Sequence, residues 1–181
     1  GPQMTTETQT DQITATATLL GFLWYQACGQ GVLGYLLGDD SDCALYRASP
    51  LGIWVMGLAS AWGPFPLAQS PLTEGNTWSI QPSEGYLDTY RIMGILSTYT
   101  VLSSTFSNVL WVQIIRSYSG SPDSRLNLYF ALGVGIVMAE WAWSEGGGLW
   151  YTFYTAALIS HFLANSDDPG TSSLEAATGG A

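Results

Sequence analysis

Few side chains in this chain are able to move a proton or hold a metal, and their placement is informative. Glu140 follows a run, residues 126–139, that holds no Asp, Glu, Lys or Arg. An acid at the edge of an apolar segment is expensive to bury and is a candidate general acid or base. His161 is the single histidine, four residues before Asn165. Its imidazole is a candidate axial ligand for a haem iron or a chlorophyll magnesium. One histidine excludes bis-histidine haem ligation from this chain alone. Gln26 and Gln30 are four apart, and Gly34 and Gly38 continue the same helical face. Such a small, polar stripe packs helices closely or lines a ligand path. Asn108, with Ser97 and Ser104, makes a second polar face, and an apolar setting obliges Asn108 to find a partner.

Other chemistry is excluded. Two cysteines, Cys28 and Cys43, supply neither a four-cysteine zinc site nor a disulfide framework, and no metal site is expected. No zincin helix, nucleophile triad, nucleotide fingerprint or EF-hand loop occurs. With four Lys+Arg against 14 Asp+Glu, the net charge is −10. A basic groove for nucleic acid is excluded on electrostatic grounds.

The elements that would position these residues are read from where charge is missing. Charged residues are absent from 12–38, 48–73, 92–115, 126–139 and 146–166. A soluble amphipathic helix carries charge on its wet face every turn or two, and a membrane helix needs about 20 apolar residues. The pattern predicts an all-α, polytopic membrane bundle of about five transmembrane helices. Pro64 and Pro66 break the second span, and four helices remain if that segment is re-entrant. Residues 1–12 read as a polar tail whose opening Gly-Pro resembles a tag remnant. Residues 13–165 form the bundle, and 166–181 an acidic, low-complexity tail.

The stretch "AEWAWSEGGGLWYTFY" reads as a helical hairpin. Gly146, Gly147 and Gly148 permit the reversal, and Trp141, Trp143 and Trp150 sit at headgroup depth. Arg47, Arg116 and Arg125 fall on one side and Arg91 on the other, which places the N-terminus outside and the C-terminus inside.

The function expected from that architecture is a non-catalytic accessory subunit of a photosynthetic or respiratory membrane complex. Its partners would be the lipid bilayer and neighbouring membrane subunits, with bound chlorophyll, haem or lipid. Two alternatives share the helices: an enzyme acting on a lipid-like substrate through Glu140, and an oligomeric carrier or channel lined by Gln26 and Gln30.

Overall fold

The computed structural model describes residues 5–19, 22–28, 43–49, 51–57, 64–131, 134–144, 149–161 and 171–178. Among these residues the regular structure is all β. The strands are β1 (Thr5–Leu19), β2 (Phe22–Cys28), β3 (Cys43–Ser49), β4 (Gly52–Gly57), β5 (Phe65–Gln69) and β6 (Thr77–Ile80), then β7 (Tyr86–Val101), β8 (Ser104–Tyr118), β9 (Ser121–Ala131), β10 (Gly135–Ser144), β11 (Trp150–His161) and β12 (Thr171–Thr178). Every ladder is antiparallel, and the order is β5-β4-β3-β2-β1-β12-β11-β10-β9-β8-β7-β6. The chain is thus a meander whose first and last strands pair with each other.

The ladder is open between β5 and β6, and side chains bridge the gap. Trp78 Nε1 donates to the Pro66 carbonyl at 3.2 Å. Asn76 Nδ2 donates to the carbonyls of Gln69 and Pro71, both at 2.9 Å. This brings β5 across the inward face of the central strands. Phe65 and Leu67 line one cavity with Tyr90, Ile114, Leu126 and Trp141.

Two-residue periodicity explains why these segments are strands. Along β7, Asp88, Tyr90 and Ile92 are buried while Leu87 and Arg91 are exposed. Register carries the inward set across the sheet: Ile92 opposes Val112, Val112 opposes Leu128, and Leu128 opposes Ala139. All four are fully or almost fully buried, and with Val55 and Leu67 they fill the interior.

The outward face is covered at one end. Gly94 pairs with Trp111 beside a register shift, and Asn108 has a left-handed φ of 55°. A straight strand would carry Tyr99 roughly 16 Å beyond Gly94. Instead its ring stacks 4.5 Å from Tyr129, the β9 partner of Trp111. The β7–β8 tip therefore folds back over the outward face, and Val101 and Phe106 join the buried cluster that includes Val109, Tyr129 and Ala131.

These findings overturn the all-α polytopic bundle and its about five transmembrane helices. Among the described residues no helix is long and apolar enough to cross a membrane, a statement that concerns helices alone. The accessory membrane subunit, the helical lipid enzyme, the helical carrier and the N-outside, C-inside orientation fall with those helices. The physical reason is that missing charge marks burial in any low-dielectric setting. Here a filled interior and a folded-back hairpin supply that setting, and Ser, Thr, Asn and Gln serve as the uncharged polar residues. The segments around Gly146–Gly148 are the antiparallel strands β10 and β11, not helices.

Candidate functional site

Strand alternation gathers one row of side chains at the sheet end where β7 begins and β8 ends. Asp88 on β7 opposes Arg116 on β8, which opposes Ser124 on β9. Ser124 opposes Trp143 on β10, which opposes Tyr151 on β11. Asp88, Arg116 and Ser124 line the inward cavity, as does Trp141. Trp143 lies two residues beyond Trp141 and so projects to the same side, with Tyr151 beside it. One row deeper, Tyr90, Ile114 and Leu126 are buried and Trp141 is partly buried; this row stands at the mouth.

The chemistry changes along the row. Arg116 Nε and Nη2 donate to the two carboxylate oxygens of Asp88, each at 2.8 Å, in a bidentate fork. The Asp88 side chain is 7% exposed and that of Arg116 is 37% exposed, so the pair forms a floor with its cationic edge toward solvent. Hydrogen bonding to Asp88 holds the Arg116 guanidinium above its ordinary pKa. The Tyr86 ring lies 6.0 Å from that guanidinium and packs at 4.8 Å against Tyr118. At the other end of the row, Trp143 is 47% exposed and Tyr151 is 39% exposed. The cavity below the row is about 30 Å³, room for water and nothing larger. A ligand would lie across the mouth, not inside the sheet.

A second polar cluster sits on the outward face. Trp111 Nε1 and Gln113 Nε2 donate to Asn127 Oδ1 at 3.2 and 3.1 Å. Asn127 Nδ2 and the Tyr129 hydroxyl donate to Glu140 Oε2 at 3.3 and 3.2 Å. The Tyr99 ring stacks on that of Tyr129, centroids 4.5 Å apart. Burial, then the negative charge of Glu140, pushes the Tyr129 phenol up. Cross-strand register builds this cluster too, since Gln113, Asn127 and Glu140 are partners on β8, β9 and β10.

The expected site residues fall apart in space. Glu140 is in the outward cluster. Asn108 is exposed in the bent β8 hairpin and is not part of that cluster. Gln26 is on β2 opposite Leu45, and His161 ends β11 opposite Ser172. The side chains of Gln26 and His161, and all of Gln30, lie outside the described residues, as does any test of haem or chlorophyll ligation by His161. Among the described residues no three His, Cys, Asp or Glu side chains gather to hold a metal ion.

The residues that sequence reading missed as a site are Asp88, Arg116, Ser124 and Tyr151. Their signal was an acid at a buried position of an alternating strand, "YLDTYRI", with an arginine 28 residues on. Comparison with protein-family models, with curated proteins and with solved structures returned no match. The class defined by the fold and the mouth is an all-β protein with a packed interior and an aromatic, ion-paired rim.

Proposed function

We propose that this chain is a β-sheet binding module that takes a saccharide across the mouth. The observation that carries this reading is the in-register row Asp88–Arg116–Ser124–Trp143–Tyr151. A sugar ring has an apolar C–H face that stacks on an exposed indole or phenol, and a hydroxyl edge that needs donors and acceptors. Trp143 and Tyr151 supply the first, and Arg116 and Ser124 the second. The filled interior favours surface binding over engulfment of an apolar ligand.

The arrangement supports binding better than cleavage. Glycoside hydrolysis usually needs two carboxyl groups facing each other across the bond. Among the described residues Asp88 is the single carboxylate in the row, and both its oxygens are held by Arg116.

The test is isothermal titration with a panel of neutral and acidic oligosaccharides, run on the full chain and on the Trp143→Ala and Tyr151→Ala variants. Losing one stacking ring is expected to weaken binding roughly tenfold, equivalent to about 1.4 kcal/mol. Circular dichroism checks that each variant keeps its strands. Absence of any binding down to a dissociation constant of about 1 mM, or affinity unchanged in the double variant, would refute the proposal.

A further inference from the structure

Glu140 is the one charged side chain of the outward cluster, and nothing at the mouth uses it. It belongs to a polar row that register carries across the outward face: Thr77 on β6, Arg91 on β7, Gln113 on β8, Asn127 on β9, Glu140 on β10 and Thr155 on β11. Gln113 and Trp111 donate to Asn127 Oδ1, and Asn127 Nδ2 and the Tyr129 hydroxyl donate to Glu140 Oε2. Four neutral donors thus converge, directly or in relay, on one oxygen of one carboxylate. They stabilise its charge without cancelling it.

The other oxygen is in a different state. Among the described residues Glu140 Oε1 accepts no hydrogen bond. The unpaired side-chain polar atoms that are buried there are Trp54 Nε1 and Arg125 Nε, so the unpaired Oε1 of half-buried Glu140 is open to solvent. No described arginine nitrogen lies within 4.0 Å of this carboxylate. Arg91 stands three strands away in the row, roughly 14 Å by strand spacing. Arg125, diagonal to Glu140 on β9, is drawn off to the Trp150 ring, 4.9 Å from its centroid. Glu140 therefore lacks the counter-charge that a carboxylate shielded from water normally has. One row away, Tyr129 carries Tyr99 and Trp111 stacked on it, at 4.5 and 5.7 Å, and has Met138 as its β10 partner. An apolar wall thus adjoins a solvent-facing anionic oxygen.

We propose that this outward patch binds a primary ammonium on an aliphatic stem, the head of a lysine side chain or of an alkylamine. The aromatic wall takes the methylenes, and the net charge of −10 draws cations in. The head is an ammonium and not a guanidinium because one oxygen is free. A guanidinium fork engages both oxygens of a carboxylate, and Oε2 already accepts two donors. An ammonium is a point donor that a single oxygen satisfies, with N–H bonds to spare for the Tyr129 hydroxyl oxygen and water. A quaternary ammonium has no donor for Oε1.

Four probes test this on the full chain: n-butylamine, N-acetyl-lysine methylamide, N-acetyl-arginine methylamide and tetramethylammonium. Binding is followed through the Trp111 indole N–H signal, which the Asn127 relay ties to Glu140. The two primary amines are expected to bind with dissociation constants of about 1 mM, and the other two roughly tenfold more weakly. Glu140→Gln keeps an acceptor oxygen for Asn127 and Tyr129; it should weaken the amines roughly tenfold and leave the mouth as it was. The first two probes distinguish a protein lysine from a free amine as the source, and either order supports the site. The arginine probe or tetramethylammonium binding as tightly as the amines overturns the proposal, and so does amine binding that Glu140→Gln leaves unchanged or that is absent up to about 10 mM. The ranking on the unaltered chain decides the matter even where Glu140→Gln fails to fold. None of these outcomes bears on the saccharide reading, which concerns the opposite face.

Discussion

Cys28 and Cys43 are direct register partners, the last pair of the β2–β3 ladder. Opposed Cα atoms in an antiparallel ladder lie about 4.5 to 5.5 Å apart, inside the range of roughly 4.4 to 6.8 Å that a disulfide spans. Glutathione disulfide is therefore expected to oxidise the two thiols to one S–S bond, releasing two glutathione thiols. The enclosed loop is 43 − 28 = 15 residues. Loop-closure entropy for 15 residues gives about 10 cal/mol/K, or about 3 kcal/mol at room temperature. For a chain of this size that corresponds to a rise in melting temperature of roughly 6 to 12 °C. Mass spectrometry of peptides should find Cys28 joined to Cys43, with loss of two hydrogens, and the melting shift should vanish on adding a phosphine reductant. Cys28→Ser should melt at the same temperature with and without reductant. If the folded protein forms no cross-link, or if it cross-links with no gain in melting temperature, the register argument or the entropy argument respectively is wrong.

Three further outcomes follow from the two polar clusters. Arg116→Met strands Asp88, a buried carboxylate, and should cost about 2 to 3 kcal/mol, the usual range for a broken buried pair reduced because Arg116 is partly exposed. Asp88→Asn leaves Arg116 able to reach water, so urea melts should show a cost of about 1 kcal/mol, and equal costs would contradict this asymmetry. Glu140→Leu removes the acceptor of both Asn127 Nδ2 and the Tyr129 hydroxyl and should cost about 2 kcal/mol, whereas Glu140→Gln keeps an acceptor oxygen and should cost under about 1 kcal/mol. Tyr90, Tyr99 and Tyr129 are all raised above the ordinary value of 10.0, by burial first and then by a neighbouring carboxylate. Because the unfolded phenols release protons first, their contribution is intact below pH about 10 and is lost as pH rises beyond it. Ultraviolet titration of the folded chain should leave these three unionised while exposed tyrosines titrate, and Tyr129→Phe should reduce the late-titrating set by one.

How far this was legible from the sequence depends on the feature. Of the charge-free stretches, Leu126–Ala131 is buried throughout, whereas 92–115 includes exposed residues such as Ile95, Leu102 and Asn108, so missing charge neither guarantees burial nor names the element. The deciding signal was period. "YLDTYRIM" alternates, with Asp88, Tyr90 and Ile92 on one side, and Thr, Tyr, Ile and Val are residues that suit a pleated surface. Glu140 was legible as an unusual acid because it stood at the end of an apolar run. Its partners were not, since Asn127 and Tyr129 are brought to it by register between β9 and β10, which a single chain does not display. Asn108 was selected for its polarity, and its structural role is a left-handed bend.

The folded-back hairpin also explains why a chain with so few charges needs no helical membrane span to account for them. A sheet with one wet face would show charge at every second residue of each strand. In β8 and β9 the inward residues Val112, Ile114, Leu126 and Leu128 are buried by the core, and the outward residues Val109, Tyr129 and Ala131 are buried as well. Tyr99 on Tyr129 is the contact that seals this second layer. Strands covered on both faces read as near-continuous apolar runs, the same signal a membrane helix gives when only charge is counted. Tyr99→Ala should therefore open the outward face: hydrogen exchange would quicken at Val109 and Ala131 first, while the inward Val112 and Leu128 keep their protection. Equal loosening of both faces would show that the hairpin is not a separate cover, and the account of the missing charges would lose its second half.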